Sequence, residues 1–60
     1  MFVKVDNKHI NLKKINWYEA NPEMSKRVKV FFDNGLSLTL EFDKQDELKA
    51  FLESIDKANS

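Results

Sequence analysis

The sequence predicts an α+β fold: an antiparallel, bent, four-stranded β-meander with one C-terminal α-helix packed on one of its faces. Three observations predict it. Apolar and polar residues alternate from Val28 to Phe42 around an Asn34-Gly35 turn signal. They alternate again from Phe2 to Leu12 across the turn-like run Asp6-Asn7-Lys8-His9. Near the C-terminus, Leu48, Phe51, Leu52 and Ile55 recur at helical spacing. Alternation marks strands with one buried face, and a repeat of about 3.6 residues marks a helix with one buried stripe.

The first hairpin comes from Phe2-Val3-Lys4-Val5, whose apolar parity matches that of Ile10 and Leu12, which are placed to face Val5 and Val3. Leu12 to Ile15 is an odd step. The phase therefore slips at Lys13-Lys14, where a bulge or bend is expected. A further strand is expected from Ile15 to about Ala20, with Trp17 facing inward and Tyr18 outward. Asn21-Pro22 marks the next turn, because proline bars a central strand and restrains the residue before it. The loop from Asn21 to Ser25 then feeds the strand that begins near Val28.

Parity decides the second hairpin. A two-residue Asn34-Gly35 loop would set Val28, Val30 and Phe32 opposite Ser37, Thr39 and Glu41, leaving neither face apolar. A three-residue Asp33-Asn34-Gly35 loop sets Phe32 opposite Leu36, Val30 opposite Leu38 and Val28 opposite Leu40. Burial selects the second register, because a one-residue slip exchanges the faces. Gly35 suits the left-handed position of the bulged turn that this register needs. The same register brings Arg27 opposite Glu41 on the outer face.

Asp43 ends the sheet and is placed to cap the helix, and Asp46 and Glu47 suit its positive end. Glu53 and Lys57 stand one turn apart as an ion pair. The inner sheet face is expected to carry Val3, Val5, Ile10, Leu12, Ile15, Trp17, Val28, Val30, Phe32, Leu36, Leu38, Leu40 and Phe42. Each large side chain buried beneath the helix contributes about 1.5–3 kcal/mol before conformational entropy is counted.

Sixty residues make one domain, residues 1–60. A domain of this size buries only about 60% of its unfolded surface. It has no cysteine, so no disulfide can staple it. Nor is there a Cys/His set for structural zinc. Association is the remaining common aid for so short a chain, which favours a homodimer. Ten basic and ten acidic residues cancel, so no global field draws the chain to nucleic acid or an anionic membrane. No basic segment is followed by a long apolar run, and no stretch approaches the roughly 20 apolar residues of a bilayer span. A cytoplasmic location, away from the membrane, is expected.

The expected outer face holds the candidate interaction surface: Phe2, Lys4, Tyr18, Arg27, Lys29 and Phe31, beside Asn11, Asn16, Ser37, Thr39 and Glu41. Aromatic and Arg enrichment fits a protein contact, most simply self-association. Scattered single apolar residues are also normal on a solvated surface. A third reading stacks single-stranded nucleic acid on Phe31 or Tyr18, with Lys4, Arg27 and Lys29 meeting phosphates. Lys13-Lys14 and Lys26-Arg27-Lys29 read first as solvated rims at a bend and a strand entry.

No catalytic residue, cofactor site or metal site is expected. His9, the one histidine, falls in a turn with no orienting partner indicated. Capping and dipole roles account for Asp43, Asp46 and Glu47.

The aromatic-Val start, with Ile10-Asn11-Leu12 and Ile15 after it, resembles many small uncharacterised bacterial and phage proteins. Those carry several strands and a closing amphipathic helix. The strand-rich order ending in a helix is also similar to single-strand-binding modules of the positive-cofactor and Pur types. The positive-cofactor type shows a basic, glycine-containing stretch ahead of its helix, where this chain has Glu41-Phe42-Asp43. The resemblance implies the fold class and no activity. The expectation is a non-catalytic protein–protein interaction module, a homodimer, with the contact made by the outer sheet face or an exposed strand edge. A host- or phage-encoded inhibitor or adaptor of a larger protein fits that description. Single-stranded nucleic-acid binding on the outer face is the alternative.

Overall fold

A computed structural model describes every residue from Met1 to Ser60. Five antiparallel strands form two sheets, followed by one C-terminal helix. The strands are β1 (Phe2–Val5), β2 (Lys8–Asn11), β3 (Ile15–Ala20), β4 (Arg27–Phe32) and β5 (Ser37–Glu41), and the helix is α1 (Gln45–Ala58). β1 pairs with β2, and β3-β4-β5 form a separate sheet in that order. The α+β class and the covering helix are as expected, but the single four-stranded meander is not.

The break lies where the sequence phase slips. Leu12–Lys14 form one 3-10 turn. Leu12 still donates its N–H to the Met1 carbonyl at 2.9 Å, closing the first hairpin. Lys14 already accepts from the Asp33 N–H at 2.9 Å, opening the second sheet. The Asn11 Oδ1 accepts from the Lys13 N–H at 3.2 Å and fixes the turn's start. Three residues thus hand the chain from one sheet to the other while Leu12 stays fully buried.

The first hairpin is tighter than expected. Val3 pairs with Ile10 and Val5 with Lys8, across the two-residue turn Asp6-Asn7. Asp6 takes a φ of 57° to make it, a conformation that Asp tolerates better than most residues. This differs by two residues from the expected pairing and so leaves every side chain on its own face. It also places His9 in β2, opposite Lys4, rather than in the turn.

The second hairpin has the expected register, with Val28 opposite Leu40 and Val30 opposite Leu38. The Phe32 N–H donates to the Leu36 carbonyl at 2.8 Å, and the Gly35 N–H returns to the Phe32 carbonyl at 3.0 Å. Gly35 has a φ of 89°. The Asn34 Oδ1 accepts from the Leu36 N–H at 3.1 Å, tying the loop.

One core joins both sheets. It comprises Val5 and Ile10 from the first sheet, Leu12 and Ile15 around the 3-10 turn, Val28, Val30 and Leu40 from the second sheet, and Leu48, Phe51 and Ile55 from α1. The Phe42 and Phe51 rings meet at 5.4 Å. Lys44, not Asp43, is the cap residue of α1. Its backbone N–H donates to the Glu47 Oε1 at 3.2 Å, so a carboxylate one turn into the helix closes the start that Asp43 was expected to close. The expected Glu53–Lys57 pair is not formed; α1 reaches instead to the loop before β4, through Lys49 Nζ and Glu23 Oε1 at 3.5 Å. Leu36 has the inward parity but remains 65% exposed. It sits beside the Asp33–Gly35 turn, beyond the start of β5, where the sheet stops.

Candidate interaction surface

The outer face of the three-stranded sheet follows from strand parity and one bulge. Ile15 pairs with Phe32, but Trp17 pairs with Phe31, so Asn16 is an extra residue in the ladder. An extra residue exchanges the two faces of everything beyond it. Trp17 therefore turns outward and Tyr18 inward, the reverse of the sequence expectation. Trp17 is 50% exposed. Its ring lies parallel to that of Phe31, with centroids 3.9 Å apart and planes within 3°. The Lys29 Nζ stands 5.3 Å from the centroid of the Phe31 ring, close enough for a cation–π attraction. Phe31 is half-buried in this way by its own neighbours.

The rest of the face is polar and electrically balanced. Across the three strands, Trp17, Phe31 and Ser37 form one row, and Glu19, Lys29 and Thr39 the next. Arg27 and Glu41 form the last, with Arg27 Nε 3.5 Å from Glu41 Oε2. Both groups of that pair are largely in water, which leaves it worth at most about 1 kcal/mol.

Of the six residues expected to share one surface, three do so: Arg27, Lys29 and Phe31. Phe2 and Lys4 have outward parity on the separate β1-β2 sheet. Phe2 is 66% exposed there. Tyr18 leaves this face for the other side of the sheet, where it is partly buried. It packs against the core, and its hydroxyl donates to the Asp56 Oδ1 on α1 at 3.3 Å. Partial burial, and then the nearby Asp56 charge, hold its phenol above the ordinary value of 10.0.

Sequence reasoning missed Trp17 as an outer-face residue. The available signal was the odd step from Ile15 to Ala20, which requires a second slip if both are to face the core. A shallow groove beside Trp17 runs toward the end of α1, lined by Lys13, Asn16, Tyr18, Asp33, Asp56 and Asn59. The Asn59 Nδ2 ties the two sides by donating to the Leu12 and Ile55 carbonyls, each at 3.0 Å. No three His, Asp or Glu side chains gather anywhere in the fold, and no helix is long and apolar enough to cross a membrane. Comparison with protein-family models, curated proteins and solved structures finds no match.

Proposed function

We propose that this chain is a non-catalytic protein-binding module that works as a homodimer and presents the Trp17–Phe31 face to a protein partner. The observation that carries this reading is an aromatic pair stacked in water on a sheet face that no other layer covers. Tryptophan and phenylalanine are the residues that anchor protein contacts, and a balanced polar surround suits a rim. An inhibitor or adaptor that masks a larger cytoplasmic protein fits such a small module. The chemistry-bearing side chains are dispersed, with His9 exposed in β2 and the acidic residues Asp43, Asp46 and Glu47 at the start of α1. That dispersal supports a binding role over a catalytic one.

The geometry gives less support to the nucleic-acid alternative. Base stacking needs open ring faces, and Phe31 already has Trp17 against it and Lys29 beside it. Arg27 is paired with Glu41 and Lys29 stands across from Glu19, so the face has no surplus charge for phosphates.

The test is capture of binding proteins from the native host by immobilised protein, with Trp17→Ser and Phe31→Ser variants in parallel. A protein retained by the wild type and lost from both variants is the expected result. A protein retained equally by all three would remove this face from the account. Titration with a labelled oligonucleotide at low salt should show no binding; tight, salt-dependent binding would favour the alternative.

A further inference from the structure

We infer that β5 is the dimer seam: its free edge pairs antiparallel with β5 of a second copy, joining two three-stranded sheets into one of six strands. The inference rests on the homodimer reading above and specifies the surface used.

The ladder shows which backbone groups are free. Phe32 bonds to Leu36, and Phe42 donates its N–H to the Lys26 carbonyl at 2.9 Å. Backbone direction alternates along a strand, so Leu38 and Leu40 also point their backbone groups at β4. Ser37, Thr39 and Glu41 point theirs the other way. β5 is an outer strand of its sheet, and none of the backbone or side-chain bonds outside the ladders ends on the backbone of these three residues. All three are exposed.

The other edges carry protection that β5 lacks. Lysine, bulges and proline are the usual guards against unwanted pairing. β1 contains Lys4 and β2 contains Lys8. β3 is kinked at Asn16 and followed by Pro22. β5, Ser-Leu-Thr-Leu-Glu, has no lysine, proline or bulge.

The edge is complementary to itself in one register. Centred on Thr39, it sets Thr39 against the partner's Thr39 and Ser37 against the partner's Glu41. All three outward residues then exchange bonds, about six in total. No like charges meet, and the Ser37 hydroxyl is placed to donate to the partner's Glu41 carboxylate. On the inner face, Leu38 meets the partner's Leu40, and Leu36 meets the partner's Phe42. The exposed Leu36 thereby gains an apolar neighbour. A seam this small falls short of the roughly 800 Å² per partner of a standard interface, so the dimer is expected to be of modest affinity. Trp17, on the opposite edge strand, stays free for the partner protein.

Sedimentation equilibrium of the wild type, Thr39→Pro, Thr39→Lys and Phe31→Ser tests the seam. The Thr39 N–H makes no bond within the monomer, so proline there leaves the fold intact; far-ultraviolet circular dichroism checks this. The expected result is a wild-type dimer that Thr39→Pro weakens about thirtyfold, as the loss of two bonds of about 1 kcal/mol requires. Thr39→Lys, which sets like charges face to face across the two-fold axis, keeps the monomer fold and weakens the dimer about fivefold. Phe31→Ser leaves the dimer unchanged. Register is read by oxidation in this cysteine-free chain: Thr39→Cys should form a covalent dimer and Ser37→Cys should not. A dimer insensitive to both Thr39 variants but lost in Phe31→Ser would overturn the seam and leave the homodimer standing. A wild type that stays monomeric at millimolar concentration would overturn both.

Discussion

On β4, Val28 and Val30 are sealed in the core beneath α1. One residue further along, Phe31 lies against Trp17 on the opposite side, with no layer above either ring. The two faces use the same strands and the same ladder, and they differ only in parity. The inner face meets α1, so each of its residues is judged by how well it fills space. The outer face meets solvent, so its aromatic pair is not needed to close the core. Substitutions on the inner face should therefore unfold this chain, and those on the outer face should disarm it while leaving it folded.

The largest effect is expected on the inner side. Leu48, with no exposed surface, anchors the first turn of α1 in the core. Leu48→Ala should cost about 2–5 kcal/mol, which in so small a domain removes much of the folded population. Urea unfolding followed by circular dichroism measures it; a loss below about 1 kcal/mol would mean that α1 is loosely docked. Next is the turn that sets the register of both faces. No atom crowds the space that a side chain at Gly35 would enter. The cost of Gly35→Val is therefore the backbone conformation alone, about 1–2 kcal/mol, read by the same unfolding curves. On the outer side, the stack that Phe31→Ser removes is worth only about 0.5–1.5 kcal/mol beyond the ring's half-buried area, and its loss should abolish partner capture. A larger loss would make the stack a structural element and blur the distinction between the faces.

The smallest effect lies at the boundary. Tyr18 has crossed from the outer face to the inner one, and its hydroxyl meets Asp56. Its phenol ionises above the ordinary value. The fold therefore favours the protonated form, and the stabilisation is complete below the unfolded-state value. It is lost as pH rises through the folded-state value, so stability should decline in the alkaline range. Tyr18 is the only tyrosine, so an ultraviolet phenolate titration reads it alone. Asp56→Asn should move the titration part-way back toward 10.0, with burial still holding it up. A titration already at the ordinary value in the wild type would place Tyr18 back in water.

The β4–β5 hairpin was legible to the residue because two constraints agreed: apolar parity and a loop that needed glycine in a left-handed conformation. The stripe of α1 was legible because Leu48, Phe51 and Ile55 repeat without interruption. The split into two sheets was only half legible. The odd step from Leu12 to Ile15 announced a break, but it could not say whether the strands on either side would stay in one sheet. Trp17 and Tyr18 were misplaced because both are large, aromatic and able to carry a polar atom. Either satisfies the core pattern, and the bulge at Asn16 has no glycine or proline to announce it. Half of the expected surface survived, because Arg27, Lys29 and Phe31 sit in the hairpin whose register was determined. Phe2 and Lys4 were tied to it only by assuming a continuous meander.

Trp17 is the sole tryptophan, and its position distinguishes the two faces without any substitution. Acrylamide quenching of its emission in dilute native protein measures whether the bulge has turned it to solvent. Red-shifted emission and ready quenching are expected, as befits an indole that remains half in water. Blue-shifted emission, inaccessible to quencher until the chain unfolds, would put Trp17 back beneath α1 and leave the proposed binding face without its anchor.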